Sequence, residues 1–187
     1  MEQVERAVLW RSLNGPGCEY CVFGRAGDGW QIEGTVLLAS DDRPLEVRYR
    51  VECDDRWSTR AVDIEMRAGP ERRALQLRAD DRGRWWRDGE ELPAVRGCPD
   101  IDLSVTPATN TLPIRRLGLT EGAGAAVTAA WVRFPALTIE PLPQRYTRLA
   151  RDRYRYESAT GYTTEIETDG LGLVTRYAGG WERVAEG

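Results

Sequence analysis

The run Leu45-Glu46-Val47-Arg48-Tyr49-Arg50-Val51-Glu52-Cys53 places an apolar or aromatic residue at every odd position and a charged one at every even position. A period of two is the signature of a half-buried strand, because successive side chains of an extended backbone point to opposite faces. The same alternation recurs over residues 62–67, 75–78, 100–105, 154–157 and 164–167, whereas helical spacing is almost absent. Turn-type sequences separate the runs: Asp28-Gly29, Asp41-Asp42-Arg43-Pro44, Ala68-Gly69-Pro70, Asp80-Asp81-Arg82-Gly83, Asp88-Gly89 and Asp169-Gly170. Asp88-Gly89, between Arg84-Trp85-Trp86-Arg87 and Glu90-Glu91-Leu92, has the chemistry of a tight hairpin.

A dozen or more strands at roughly 10–14-residue spacing predict an all-β chain, and so many strands cannot lie flat as twist accumulates. The expectation is a single large antiparallel sheet rolled into a partly open barrel, in one domain over residues 1–187. Residues 118–130 are small and apolar and read as a turn entering a strand over 127–134. At 187 residues the folded surface should be roughly 9,000 Å², against about 31,000 Å² unfolded, so a core can form without disulfides.

Composition narrows the chemistry. The chain has no His, which removes Ser-His-Asp and Cys-His catalysis and imidazole metal ligands. Its basic residues are all Arg, and the net charge is −4, which argues against general nucleic-acid affinity. The start, Met1-Glu2-Gln3-Val4-Glu5-Arg6, lacks the apolar stretch of a secretory leader, and no run reaches the ~20 apolar residues of a membrane helix. The expected location is cytoplasmic. Cys18, Cys21, Cys53 and Cys98 lack the spacing of two paired zinc knuckles and read as small hydrophobes; no metal and no cofactor is expected.

Three constellations stand out. Asp100 and Asp102 share one face of a strand and could act as acid and base, or simply edge a solvated face; Asp54, before Asp55, has the same ambiguity with turn capping. Adjacent Trp85 and Trp86 must point to opposite faces of any strand. Residues 106–117, Thr-Pro-Ala-Thr-Asn-Thr-Leu-Pro-Ile-Arg-Arg-Leu, combine two prolines with short hydrogen-bonding side chains and two arginines. This segment reads either as a rigid rim at a cavity mouth or as a well-tied loop between strands.

Taken together, Tyr49-x-Val51-x-Cys53-Asp54-x-x-Trp57-x-Thr59-Arg60, Gly97-Cys98-x-Asp100-Ile101-Asp102-Leu103-Ser104, the 106–117 run and Gln144-x-Tyr146 resemble the putative glycolipid-binding family of bacterial proteins. The likeness departs at Ala108, where that family commonly carries an aromatic. The resemblance implies a rolled sheet similar to lipoprotein-carrier folds, and a lipid or glycolipid as partner. Candidate rim residues are Trp57, Arg60, Asn110, Arg115, Arg116, Gln144 and Tyr146.

The resulting expectation is non-enzymatic binding of an amphiphile in the apolar cavity of a curved sheet. A tail of ~12 methylenes supplies roughly 10 kcal/mol gross before ordering costs, so the tail would set affinity and the rim identity. The rivals are a carboxylate-based hydrolase using Asp54, Asp100 or Asp102, and an interaction module that accepts a partner's strand at an open sheet edge.

Overall fold

The computed structural model describes residues 3–40 and 43–187, so the turn residues Asp41 and Asp42, and Met1 and Glu2 at the start, lie outside the described residues. The first half forms β1 (Gln3–Ser12), β2 (Gly17–Ala26), β3 (Gly29–Ser40), β4 (Arg43–Cys53), β5 (Thr59–Ala68), β6 (Glu71–Ala79), β7 (Trp85–Arg87) and β8 (Glu90–Glu91). The second half forms β9 (Asp100–Leu103), helix α1 (Thr111–Leu117), β10 (Gly124–Arg133), β11 (Thr138–Ala150), β12 (Arg153–Ser158), β13 (Thr163–Thr168), β14 (Val174–Tyr177) and β15 (Trp181–Glu186). All fifteen strands make one sheet, in the order β8 down to β1 and then β15 down to β9. Every pairing is antiparallel but one. β9 runs parallel to β10, which corrects the all-antiparallel expectation at that edge.

Alternation accounts for the walls. In β4, Leu45, Val47, Tyr49, Val51 and Cys53 are buried, while Arg48 and Arg50 are exposed. Outside, ion pairs such as Arg50–Glu33 (2.7 Å) and Arg78–Asp63 (3.0 Å) link neighbouring strands, and such exposed pairs contribute ~0–1 kcal/mol each. The Asp88-Gly89 hairpin forms as expected, with both residues at positive φ (50° and 88°), as a type I′ turn requires. Trp85 is buried and Trp86 half-buried, on opposite faces. β10 starts at Gly124, three residues earlier than its alternation suggests, and ends at Arg133.

The sheet rolls until its two edges face each other without closing. Thr59 N–H donates to the Pro99 carbonyl (2.9 Å), Gly97 N–H to the Gly83 carbonyl (2.7 Å), and the Trp85 indole N–H to the Cys98 carbonyl (2.9 Å). On β9, Ile101 N–H donates to Thr59 Oγ1 (3.1 Å) and Leu103 N–H to Thr109 Oγ1 (3.3 Å), so side chains occupy this edge. The other edge, β8, is two exposed glutamates long. Short, charged or covered edges are poor templates for strand addition, which leaves the interaction-module reading without a geometric basis.

The interior is not hollow at its centre. Residues 105–117 turn inward as a 3-10 turn (Ala108–Asn110) followed by α1, and Val105, Ala108, Leu112 and Ile114 join the same core as the inward strand residues. This segment is neither of the two loops expected from sequence. Pro113 is tolerated because it occupies the helix's first turn, where a backbone N–H would lack an intrahelical partner. Gly118, left-handed at φ 52°, ends the helix. Ala108 is completely buried, so a ligand cannot touch it. The total accessible surface, 9427 Å², agrees with the expectation from chain length.

Candidate functional site

With the middle plugged, open space remains at the two ends of the roll. At one end lie the turns that follow β1, β5, β12 and β14; at the other, those that follow β2, β4, β6, β11 and β13.

The first end is built on inward positions of β11 and β12. Leu142, Gln144 and Tyr146 alternate inward on β11, and register sets Tyr146 beside Tyr156 of β12. These two rings meet edge to face at 5.2 Å. Tyr156 lies 6.3 Å from both Tyr162 and Tyr177, which are parallel to each other at 6.2 Å. Burial pushes the Tyr146, Tyr156 and Tyr177 phenols up, so at neutral pH they are uncharged hydroxyls. Asp102, inward on β9, accepts a hydrogen bond from Gln144 Nε2 (2.5 Å). Burial pushes its carboxyl up to about 6; the Gln144 bond pulls down and the Asp100 charge adds to the rise. Tyr146 Oη donates to Asn110 Oδ1 (2.9 Å), and Asn110 Nδ2 donates to the Pro107 carbonyl (3.0 Å).

These groups surround a cavity of about 280 Å³ whose walls include Asp102, Asn110, Trp131, Tyr156, Tyr162 and Trp181. Asn14, Ser104, Gly180 and Trp181 also line a neighbouring cavity of about 260 Å³. That space in turn shares Leu45 and Pro135 with a third, about 600 Å³, walled by Leu45, Met66, Ala68 and Pro135 with Arg43, Glu71 and Arg73 alongside. The three form a trough across this end. It is apolar at one extremity and lined by aromatic rings and hydroxyls at the other.

The opposite end is arginine-rich. Arg115, Arg148 and Arg151 line a cavity of about 420 Å³ with Asp152, Tyr154 and Asp169. Arg148 donates to the Leu119 carbonyl (2.6 Å), and Arg183 pairs with Asp169 (2.7 Å). The Arg115 guanidinium lies 5.1 Å from the Trp57 ring, and Trp57 stacks on Trp30 (4.5 Å) and Phe23 (5.6 Å).

The structure therefore divides the residues selected from sequence. Asn110 lines the aromatic cavity, with Gln144 and Tyr146 directly behind it holding Asp102 and Asn110. Trp57, Arg60 and Arg115 sit at the arginine end, where Arg60 pairs with Asp54 (2.7 Å). Arg116 lies deeper, bonded to Asp100 through Nε (2.9 Å) and Nη2 (2.5 Å). The three acids do not converge. Asp54 accepts the Arg56 and Ser58 N–H groups as a turn cap, Asp100 is taken by Arg116, and only Asp102 faces a cavity. Cys18 and Cys21, three apart on β2, face opposite sides of the sheet, which does not suit a shared metal.

Sequence reasoning missed Trp131, Tyr156, Tyr162, Tyr177 and Trp181 as cavity residues. It also missed Glu19. Glu19 is completely buried on β2, accepting from Tyr49 Oη (2.5 Å) and Thr106 Oγ1 (2.8 Å), while its Oε2 has no partner. Burial pushes this carboxyl up to about 7 against those two bonds. The signal was present: Glu19 is in phase with the inward Cys21 and Phe23.

The family described as "Putative glycolipid-binding" matches residues 7–183. The chain belongs to the putative glycolipid-binding family. A solved structure from Pseudomonas aeruginosa, of a DUF1089 family protein, is 36% identical to it, covers 89% of this chain and 92% of its own, and superposes with a TM-score of 0.81. No curated protein matches the sequence. Neither description names a reaction, and no described helix of this glycolipid-binding family member is long and apolar enough to cross a membrane.

Proposed function

We propose that the chain binds, without transforming it, one amphiphilic lipid along the trough, with the apolar body against Leu45, Met66 and Pro135 and the head group in the aromatic cavity. The carrying observation is the gradient itself: contiguous spaces pass from aliphatic side chains to rings with hydroxyls. Apolar walls with a few placed polar groups are the usual composition of small-molecule sites. In this reading Asn110 touches the head group, Gln144 and Tyr146 position its neighbours, and Trp57, Arg60, Arg115 and Arg116 hold the framework.

Intrinsic tryptophan fluorescence titrated with decyl glucoside below its micelle concentration tests this, because Trp131 and Trp181 line the trough. Saturable quenching with one ligand per chain by native mass spectrometry is expected. No binding of any single-tailed amphiphile would remove the proposal, and glucose release from the bound glycoside would move the assignment to the carboxylate hydrolase.

A further inference from the structure

We propose that the arginine end holds a second binding site, for the phosphoryl group of a small ion or ester, formed by Arg115, Arg148 and Arg151. The site is independent of the amphiphile reading, which uses the opposite end of the roll. All three side chains line the cavity of about 420 Å³ between α1, the turn after β11 and the turn after β13. The first support is uncompensated charge in a chain whose net charge is −4. Asp169 is already occupied: its Oδ1 accepts the Leu171 and Leu173 N–H groups, and its Oδ2 accepts Arg183. Among the described residues this leaves Asp152 as the one lining carboxylate against three guanidinium groups, none of which has an acid within ion-pair distance.

The second support is how the cations are held. Arg148 donates to three carbonyls, those of Leu119 (2.6 Å), Ala150 (3.2 Å) and Arg151, which fix its orientation without neutralising it. Its guanidinium also lies 5.7 Å from the Tyr154 ring. Arg115 is placed by its carbon stem and by the face of its guanidinium. A Cβ at residue 172 would come within 2.9 Å of Arg115 Cδ, so the stem rests on the bare backbone of Gly172 while the charged group lies over Trp57 at 5.1 Å. Neither contact uses the Arg115 N–H donors, and no acceptor meets them among the described residues. Left-handed Trp57 (φ 71°) accepts backbone strain to put its ring there.

The third support is Thr168. It is inward on β13 and 6% exposed, it lines this cavity, and its hydroxyl bonds to no group among the described residues. A buried hydroxyl without a partner costs stability unless a ligand or water meets it. The donor set then selects the anion. A carboxylate has two oxygens and is satisfied by one arginine fork, whereas a phosphoryl group brings three acceptor oxygens and a charge of about −1.5 to −2. Three guanidinium groups and a hydroxyl match the second. Ile114 and Tyr154 add apolar wall for the organic part of an ester.

Calorimetry on the full chain in phosphate-free buffer tests this with inorganic phosphate, phenyl phosphate and benzoate, each with and without saturating decyl glucoside. Both phosphates should bind, benzoate about ten-fold more weakly or worse, with the glucoside leaving these affinities unchanged. Arg115→Gln, at an exposed side chain, should weaken phenyl phosphate about ten-fold or more, and the shape-preserving Thr168→Val several-fold. Arg72→Gln, on the exposed face of β6 near the other end, should change nothing. Decyl phosphate that displaces phenyl phosphate at much higher affinity identifies a lipid head as the source of the phosphoryl group; equal affinity identifies a soluble ester. Benzoate equal to phenyl phosphate, equal losses in Arg72→Gln and Arg115→Gln, displacement of phenyl phosphate by decyl glucoside, or no phosphate binding each overturns the site. Failure of decyl glucoside alone to bind removes the amphiphile reading and leaves this one standing.

Discussion

The two ends of the roll share one five-residue turn, closed by the first residue's N–H on the fifth residue's carbonyl at 54–58, 80–84 and 169–173 at one end and at 158–162 at the other, yet they hold opposite kinds of space. At the arginine end, Asp54 and Asp169 bind turn amides and arginines, Arg148 binds carbonyls and Arg115 lies against Trp57. At the aromatic end, the Ser158 and Thr160 hydroxyls bond to each other and line the cavity together with Tyr156, Tyr162 and Tyr177. The lesson is that backbone geometry alone does not mark a site. What marks it is polar groups that the protein itself leaves available.

The sharpest way to break that contrast is Trp57→Ala, which empties the Phe23–Trp30–Trp57 stack. It should cost about 3–5 kcal/mol in urea denaturation and leave the glucoside affinity of the folded fraction unchanged. Because Trp57 occupies the left-handed position filled by glycine in the other three turns, Trp57→Gly should be about 1 kcal/mol less destabilising than Trp57→Ala, inverting the usual order. A small stability loss with lost binding would instead make the arginine end the site.

Next in size is pH. Glu19 has an ordinary value of 4.5 and a folded value of about 7. The unfolded chain therefore releases its proton first, and stability falls as pH rises from about 4.5 to 7, by about 3 kcal/mol in all. Asp102, also raised, adds a loss of the same sign. Thermal melts of Glu19→Gln across this window should be markedly flatter than those of the wild type; parallel curves would show that Glu19 is not the source.

Arg116→Met leaves the Asp100 carboxyl, 1% exposed, without its partner. Partial solvent access to the guanidinium keeps the expected cost to about 2–3 kcal/mol, read by urea midpoint. The smallest effect belongs to the aromatic end: Tyr162→Ala, at a ring 43% exposed, should change stability by less than about 1 kcal/mol while weakening glucoside binding. A larger loss would place that ring in the framework.

The walls of the roll were legible in the sequence because alternation reports burial directly, as β4 illustrates. The plug was not. A seven-residue helix buried among strands has no wet face, so α1 shows no amphipathic stripe, and its threonines and prolines read as loop. The parallel β9–β10 pair was invisible because hydropathy fixes a strand's faces and leaves its partner open. The same limit explains why the selected residues fell at both ends: alternation tells inside from outside, whereas top and bottom depend on counting turns. Tyr154 and Tyr156 were recognised as an inward pair, but only the register with β11 brings Tyr156 to the cavity and leaves Tyr154 near Arg148.

The strand order has a kinetic consequence. Neighbours in the sheet are neighbours along the chain everywhere except at its centre, where β1 meets β15 and Arg11 pairs with Glu182, 171 residues away. Each half of the meander can zip from local hairpins, but the two must find each other through the largest loop closure in the molecule. Such distant pairings slow folding. Refolding is expected to be limited at this central junction, although in the finished sheet it looks no different from any other pair of strands.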